Sequence, residues 1–505
     1  MKIEQLSILM HNGRRLISDL SFSLNPGDKL AIIGEEGNGK SSLLHAIIRP
    51  NGLDYAKVTG RIYLANQTLG LLEQQFSSAW YHRTTLEYLL TDRPGEEIKP
   101  ERYNELSDIV KYWAQVGLGE ELIDQPRPIM TLSGGEKVKL RLVKLLKQEP
   151  DILLLDEPTN DLDLTTLEWL EEFVREQTRP VLFISHDIVF LERTANRILH
   201  LENVRGKQAD RHTLYTGGYQ TYVKTRQRHF EKQDQLHGSQ QRRLREQLIE
   251  LNDQKNKVRS AQNKNKDSAA RRIMNKKMAN IIALKGRIDA ADRVEKPVLE
   301  EAISFVLPKV DIPRSKRVIE LHLPRLSVAG KVLTGPIGFT AMGGEAVCIV
   351  GENGVGKTTL LRRIEQTMKT DPSLQVASFP QTYREEFLAG ETAMEYLARH
   401  VSDLTTARLQ LGSIRLTYEE MDRPVLSLSS GQQAKVILAK LVLLGANVIV
   451  ADEPTRNVSP LSAPVIHELF SAYGGSLIMV SHDRRFIERV ADRVLELSRD
   501  GLREL

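Results

Sequence analysis

The chain has 505 residues, of which 27% are charged and 41% hydrophobic, and its formal net charge is +4. This is an ordinary globular composition rather than a disordered one, long enough for roughly three units at about 150 residues each, and too weakly charged overall to imply nucleic-acid binding. No apolar run approaches the ~18 residues of a bilayer span, the start Met1-Lys2-Ile3-Glu4 is not a secretion signal, and the single Cys348 excludes an internal disulfide, a cysteine zinc site and an iron–sulfur cluster.

The first strong element is the apolar run at 30–33, a buried-strand pattern. Gly34, Gly37, Asn38, Gly39, Lys40, Ser41 and Ser42 follow it, and the apolar residues 43–46 of a helix come next. Strand, glycine loop and helix in that order form a phosphate-binding unit, because glycines let backbone N–H groups approach phosphate oxygens at a helix N-terminus. Further on stands Leu132-Ser133-Gly134-Gly135-Glu136. Residues 152–155 read as a central parallel strand that carries Asp156 and Glu157 to the carboxyl edge of a sheet, where ligands bind in such folds. Another apolar run, 181–184, ends at Ser185-His186-Asp187.

From about Tyr222 to Glu295 the chain changes character: Lys, Arg, Gln and Glu are dense, and Gly238 and Gly286 are the breakers. Leu244, Leu248 and Leu251 fall at helical spacing, as do Met274, Met278, Ile281, Leu284 and Ile288, which predicts two amphipathic helices. The polar stretch 260–266 separates them, and Asp267 or Ser268 can cap the second. The expectation is an antiparallel hairpin whose helices, at about 35 residues and 1.5 Å per residue, reach roughly 50 Å. Around its turn Lys255, Lys257, Arg259, Lys264, Lys266, Arg271, Arg272, Lys276 and Lys277 face Asp267 alone. Such one-sided charge matches a nucleic-acid phosphate backbone.

After this segment the first set of motifs is written again. Residues 346–350 lead into Gly351, Asn353, Gly354, Gly356, Lys357, Thr358 and Thr359, then come Leu428-Ser429-Ser430-Gly431-Gln432, the run 448–451 ending at Asp452-Glu453, and Ser481-His482-Asp483. The two lysines are 317 apart, whereas Ser133 and Ser429, Glu157 and Glu453, and His186 and His482 are each 296 apart, so from the serine motif onward the halves keep register. The predicted fold class is α/β: two P-loop domains, each with a mixed sheet core and a helical subdomain, joined by a long α-helical hairpin. The boundaries are 1–220, 221–300 and 301–505. Cys348, inside an apolar run, reads as packing, and Trp80, Trp113 and Trp169 as core or helix-face residues.

Four motifs in the same order, twice, resemble the ATP-binding-cassette superfamily over roughly residues 1–220 and 315–505. The resemblance implies ATP and Mg²⁺ as cofactors. Lys40 and Lys357 would reach the β and γ phosphates. Ser41 and Thr358 would ligate the cation with Asp156 and Asp452, and Glu157 and Glu453 would polarise the attacking water as general bases. Gln74 and Gln381 match the family's glutamine loop, which senses the cation, and His186 and His482 would contact the γ phosphate. In the family two cassettes pair head to tail. Ser133 and Gly135 would then cap the nucleotide on Lys357, and Ser429 and Gly431 the one on Lys40, so that ATP joins the halves and hydrolysis releases them.

This chain departs from the family at Ser430, where a glycine is expected and a Cβ would crowd the nucleotide, and at Thr455-Arg456-Asn457-Val458-Ser459, opposite Thr159-Asn160-Asp161-Leu162-Asp163. The two sites are therefore expected to differ in turnover. At the position where relatives stack an aromatic ring on adenine stand His11 and Val328, so the base is expected to be held loosely, with GTP as an alternative, or else by a neighbouring residue.

Two cassettes joined by a basic helical hairpin resemble the ABC-F family of ribosome-binding ATPases, whose members enter the tRNA exit site and extend the hairpin toward the P-site tRNA and the peptidyl-transferase centre. The resemblance implies rRNA and P-site tRNA as partners, no membrane subunit, a monomer with intramolecular cassette pairing, and a cytoplasmic location. The 59 residues from Gln74 to Ser133 exceed the 48 from Gln381 to Ser429 by too little for an extra helical arm, and the chain stops at Leu505. Both features favour the antibiotic-protection members over the housekeeping translation factors. The rival from another class is the tandem ATPase subunit of a sugar importer, which gives no reason for a basic hairpin.

Overall fold

The computed structural model describes residues 1–505 except 36, 51, 75, 120–125, 161, 205–208, 265–267, 290–311, 329, 402, 415, 429 and 457. Residues 1–219 with 302–505 form one compact unit and residues 220–301 a second.

In the first half, β1 (Lys2–Met10), β2 (Arg15–Ser23) and β4 (Ala56–Tyr63) make an antiparallel sheet in the order β2-β1-β4. A six-stranded sheet contains β3 (Lys29–Ile33), β5 (Leu69–Leu72), β6 (Ile152–Asp156), β7 (Val181–Ile184), β8 (Arg197–Val204) and β9 (Ala209–Thr216). Its order is β5-β6-β7-β3-β8-β9, parallel except for the last pair. Such parallel strands need both faces covered, and all four residues 152–155 are 0% exposed. The helices used below are α1 (Lys40–Ile48), α2 (Gly134–Leu146), α3 (Leu164–Glu176) and α4 (Ile188–Thr194).

The second half repeats the plan. The strands β14 (Ala346–Val350), β15 (Val376–Phe379), β16 (Val448–Asp452), β17 (Ser476–Val480), β18 (Arg493–Ser498) and β19 (Gly501–Glu504) are ordered β15-β16-β17-β14-β18-β19, again parallel but for the final pair. Among the described residues its antiparallel part is two ribbons, β10 (Arg317–Leu323) with β13 (Ile337–Met342) and β11 (Leu326–Val328) with β12 (Lys331–Thr334). The helices named below are α7 (Lys357–Met368), α8 (Ser430–Leu444), α9 (Ala463–Ser471) and α10 (Arg484–Val490). Cys348 is fully buried on β14 and its thiol is pushed up to about 12, chiefly by burial, which leaves it an inert packing residue.

Between the halves run α5 (Tyr219–Lys264) and α6 (Ser268–Asp289), of 46 and 22 residues. Against helices of about 35 residues expected from the sequence, the described residues of the two span roughly 70 and 33 Å at 1.5 Å per residue. Gly238 and Gly286 lie inside these helices and do not break them. A single glycine costs about 1 kcal/mol relative to alanine, too little to interrupt a helix of this length. Lys255, Lys257, Arg259, Arg272, Lys276 and Lys277 are exposed. Lys266 and Asp267 lie outside the described residues, as do the side chains of Lys264 and Arg271.

Among the described residues no helix is long and apolar enough to cross a membrane.

Candidate nucleotide sites

Each glycine loop turns at the end of a central strand. Gly34 has φ 148° and Gly351 φ 145°, in the region that favours glycine. A Cβ at Gly34 would collide with the carbonyl oxygen of Leu201, and one at Gly351 with that of Leu497. The lysine that opens the following helix ties the loop together: Lys40 Nζ donates to the carbonyls of Gly34 (2.8 Å) and Glu35 (3.1 Å). Lys357 Nζ donates to Gly351 (2.7 Å), Glu352 (2.9 Å) and Asn353 Oδ1 (3.2 Å). Asn38 Nδ2 donates to Leu201 O at 2.9 Å, fixing the loop to β8. A ring of backbone groups is thus shaped around a buried ammonium, an arrangement suited to a polyphosphate.

At the strand edge, Ser41 Oγ donates to Asp156 Oδ1 at 3.1 Å, and the Thr358 hydroxyl bonds Asp452. Burial, with the neighbouring Glu157, pushes Asp156 up to about 6, and burial raises Asp452 as well. Asp452 Oδ1 is buried without a hydrogen-bond partner among the described residues. Hard oxygens held at high desolvation cost fit a small divalent cation such as Mg²⁺, bound through one carboxylate and one hydroxyl alongside phosphate oxygens.

Glu157 and Glu453 follow with φ of 47° and 50°, unfavourable for a residue with a side chain. Their N–H groups donate to Ile184 O (3.1 Å) and Val480 O (2.9 Å), which holds the strained turn. The two carboxylates then differ. Glu157 Oε2 accepts from Gln74 Nε2 (2.6 Å) and Asn160 Nδ2 (2.5 Å), with His186 Nε2 3.5 Å from Oε1. Burial alone would raise Glu157, but His186, Asn160 and Lys40 outweigh it and hold the carboxyl at about 2.

Glu453 accepts from the His482 N–H at 3.3 Å, with His482 Nε2 3.5 Å away. Burial and the adjacent Asp452 push it up to about 8. Burial, with Lys357, pushes the His482 ring down to about 4. His186 Nδ1 meets Val458 O at 3.0 Å, whereas His482 Nδ1 is buried without a partner among the described residues.

The halves meet at these edges. A cavity of about 550 Å³ is lined by Lys357, Thr358, Gln381, Asp452, Glu453, Arg456 and His482 of the second half and by Thr159, Asn160, Leu162 and His186 of the first. On the other side, Ser459 Oγ and Ser462 Oγ donate to Glu35 Oε1 at 2.6 and 2.9 Å. Arg484, at the start of α10, pairs with Glu171 on α3 and lies 3.6 Å from Asp187.

Ser133 and Gly135 are not among the residues lining the cavity. They sit at the N-terminus of α2, where Ser133 Oγ caps Glu136 N at 3.2 Å and Gly135 abuts Thr166; Thr159, Asn160 and Leu162 share the cavity with Lys357. Ser429 lies outside the described residues, and so do the side chains of Ser430 and Gly431, including the crowding expected at Ser430. Sequence reasoning missed Asn160 and Glu35 as site residues. Asn160 stands three residues after Glu157, within reach of its carboxylate across one turn.

Two parallel sheets with paired glycine loops and strand-end carboxylates, joined edge to edge, define a tandem ATP-binding-cassette ATPase. The ABC transporter family profile matches residues 17–160 and 335–456. The ribosome protection protein VmlR of Bacillus subtilis (strain 168) is 30% identical, over 96% of this chain and 84% of its own length. ABC transporter F family member 2 of Arabidopsis thaliana is 26% identical, over 97% and 76%. The crystal structure of archaeal ribosome recycling factor aABCE1 with the ribosomal stalk protein aP1 superposes with a TM-score of 0.60 at 16% identity, covering 99% of this chain and 90% of that one, a likeness of fold. The chain belongs to the ABC-F family of ATP-binding-cassette proteins and is an ATP hydrolase.

Proposed function

We propose that this protein binds the ribosome in the cytoplasm at the tRNA exit site and, through ATP-driven closure of its two cassettes, sets its basic helical segment against the P-site tRNA and the rRNA near the peptidyl-transferase centre, protecting the ribosome from antibiotics. The observation that carries the reading is the coupling of the halves at their catalytic edges, where His186 meets Val458 and Glu35 meets Ser459 and Ser462. A nucleotide bound at either edge then bears on the joint between cassettes. The ribosome enters through the relative named a ribosome protection protein and through the exposed Lys255, Lys257, Arg259, Arg272, Lys276 and Lys277, with Lys264, Lys266 and Arg271 on the same stretch, whose charge suits a phosphate backbone.

In this reading the working units are 1–220, 221–300 and 301–505. Lys40 and Lys357 leave their loop carbonyls to hold the β and γ phosphates, with Gly34, Gly37, Asn38, Gly39 and Ser42, and their counterparts Gly351, Asn353, Gly354, Gly356 and Thr359, cradling the chain of phosphates. Ser41, Asp156 and Gln74, and Thr358, Asp452 and Gln381, would hold Mg²⁺, which would supply charge neutralisation at a transferring phosphoryl group. Glu157 and Glu453 orient water and accept its proton, and His186 and His482 donate toward the γ phosphate. Ser133 and Gly135, and Ser429 and Gly431, complete the opposite sites on closure. No membrane subunit is needed.

The test is expression in a drug-sensitive bacterium, scored across lincosamides, pleuromutilins, streptogramins, macrolides and phenicols, beside the Glu157→Gln, Glu453→Gln double variant. Protection against at least one class, lost in the variant, is expected. No change in any class, with the protein still pelleting with ribosomes, would favour the housekeeping reading. Pelleting with membranes instead would favour an importer subunit.

A further inference from the structure

The loop 458–462 of the second cassette, which leads from Glu453 to α9, is held by groups of the first. His186 Nδ1 meets Val458 O at 3.0 Å, and Glu35 Oε1 accepts from Ser459 Oγ and Ser462 Oγ. Between these contacts the Tyr219 hydroxyl donates to Pro460 O at 3.1 Å, a buried bond. Tyr219 is 4% exposed and is the first residue of α5. Just before it, the Gly217 N–H donates to Asn196 O at 2.9 Å. The backbone leading into α5 is therefore fastened to the first cassette, and the side chain of its first residue to the second.

The bond to Pro460 depends on a local difference between the repeats. The residue 296 positions before Pro460 is Leu164, which already lies in α3, where a carbonyl of the first turn is taken by the helix itself. In the second cassette α9 begins only at Ala463, so the Pro460 carbonyl lies ahead of the helix and is open to an outside donor.

We infer that Tyr219 couples the first nucleotide site to the root of α5, with the loop 458–462 as the carrier. The inference rests on the ATP-driven closure proposed above and adds the route by which closure reaches the helix. Glu35 belongs to the glycine loop and its carbonyl holds Lys40, while His186 lies 3.5 Å from Glu157, so phosphate arriving there acts on groups that also hold the loop. When the loop shifts against the first cassette, either the buried bond to Pro460 is lost or the first residue of α5 turns with it. A buried carbonyl left without its donor is costly, which favours the turn. A continuous helix of 46 residues then carries that turn along its length. Tyr219 acts as a positioning residue, and the chemistry stays with Glu157.

The experiment uses the full chain with Glu157→Gln and Glu453→Gln, so that bound ATP persists. Fluorescence transfer is read with and without ATP, first between dyes on the two cassettes and then between a dye on exposed Gln241 of α5 and one on the first cassette. ATP is expected to change both signals. Adding Tyr219→Phe, which keeps the ring and loses only the hydroxyl, should leave closure as it was and reduce the ATP-dependent shift at Gln241 about fivefold, the factor carried by one ordinary hydrogen bond. Cassettes that close, with Gln241 responding alike with and without Tyr219→Phe, overturn this inference alone. Loss of closure itself in Tyr219→Phe also overturns it, because the hydroxyl would then serve the joint rather than the helix. Cassettes that fail to close on ATP before Tyr219 is changed would sink the proposed function and this inference with it.

Discussion

Ser459 of the second cassette donates a 2.6 Å hydrogen bond to Glu35 in the glycine loop of the first, and the residue 296 positions earlier, where the first cassette would make the reciprocal contact, is Asp163. Asp163 instead caps α3, accepting from Thr166 N at 2.8 Å, and acts electrostatically on Lys357. The joint between cassettes is therefore different on its two sides. Ser459→Ala should weaken ATP-dependent closure by about 1 kcal/mol, moderated because Ser462 still donates to Glu35. Ser459→Asp should be worse, because it sets two carboxylates against each other. Closure can be read by fluorescence transfer between dyes on the two cassettes; equal closure in all three proteins would show that the contact is incidental.

The two candidate bases sit in unlike surroundings. Glu157 is charged at neutral pH and gripped by Gln74 and Asn160, whereas Glu453 is pushed up to about 8 and faces Arg456 in place of the asparagine. A general base contributes about 10²–10⁴-fold. Glu157→Gln is expected to remove most steady-state ATP hydrolysis, and Glu453→Gln a smaller share. Equal residual rates in the two single variants would contradict this.

Arg456 lines the cavity around Lys357 and has no cationic counterpart in the first cassette, where Asn160 stands. Arg456→Asn should weaken nucleotide binding at the second site by about tenfold, the order expected for losing one charge-assisted contact to phosphate. Titration in a Lys40→Ala background checks it, and an unchanged affinity would show that the guanidinium serves the fold alone.

Much of this was legible in the chain itself. The strand–loop–helix order, the burial of 152–155 and 448–451, and the placement of Asp156, Glu157, Asp452 and Glu453 at strand ends follow from local pattern, because an apolar run too short for a helix suits a strand covered on both faces, and the polar residues that end it suit the sheet edge. The two helices, and the break between them at the polar stretch 260–266, were legible from the helical spacing of their apolar residues, though not their lengths of 46 and 22 residues. The contacts of Glu35, Asn160 and Tyr219 were not legible. They join residues far apart in the chain through loops whose course no periodicity fixes.

Lys144 offers a test of the first cassette's packing. Its ammonium donates to Thr91 O at 2.9 Å and lies 4.6 and 4.2 Å from the rings of Trp80 and Tyr88, and burial pushes its pKa down to about 8. Between about pH 8 and the unfolded value near 10.5 the unfolded chain binds more protons than the folded one, so this residue makes stability rise with pH across that window. Below about 8 its contribution no longer changes. Urea midpoints at pH 7.5 and 10 should therefore shift less favourably in Lys144→Met than in the parent. Parallel shifts would show that the lysine is not desolvated.

The central claim is that nucleotide drawn between the cassettes fixes a cationic helical segment on structured RNA. Its most direct test is the affinity of the Glu157→Gln, Glu453→Gln chain for ribosomes, with and without ATP, between about 50 and 200 mM salt, a range over which phosphate contacts weaken strongly. The account predicts at least tenfold tighter binding with ATP, and a shallower salt dependence when Lys255, Lys257, Arg259, Arg272, Lys276 and Lys277 are all changed to Gln. Affinity indifferent to ATP, or a salt dependence untouched by those six changes, would contradict it.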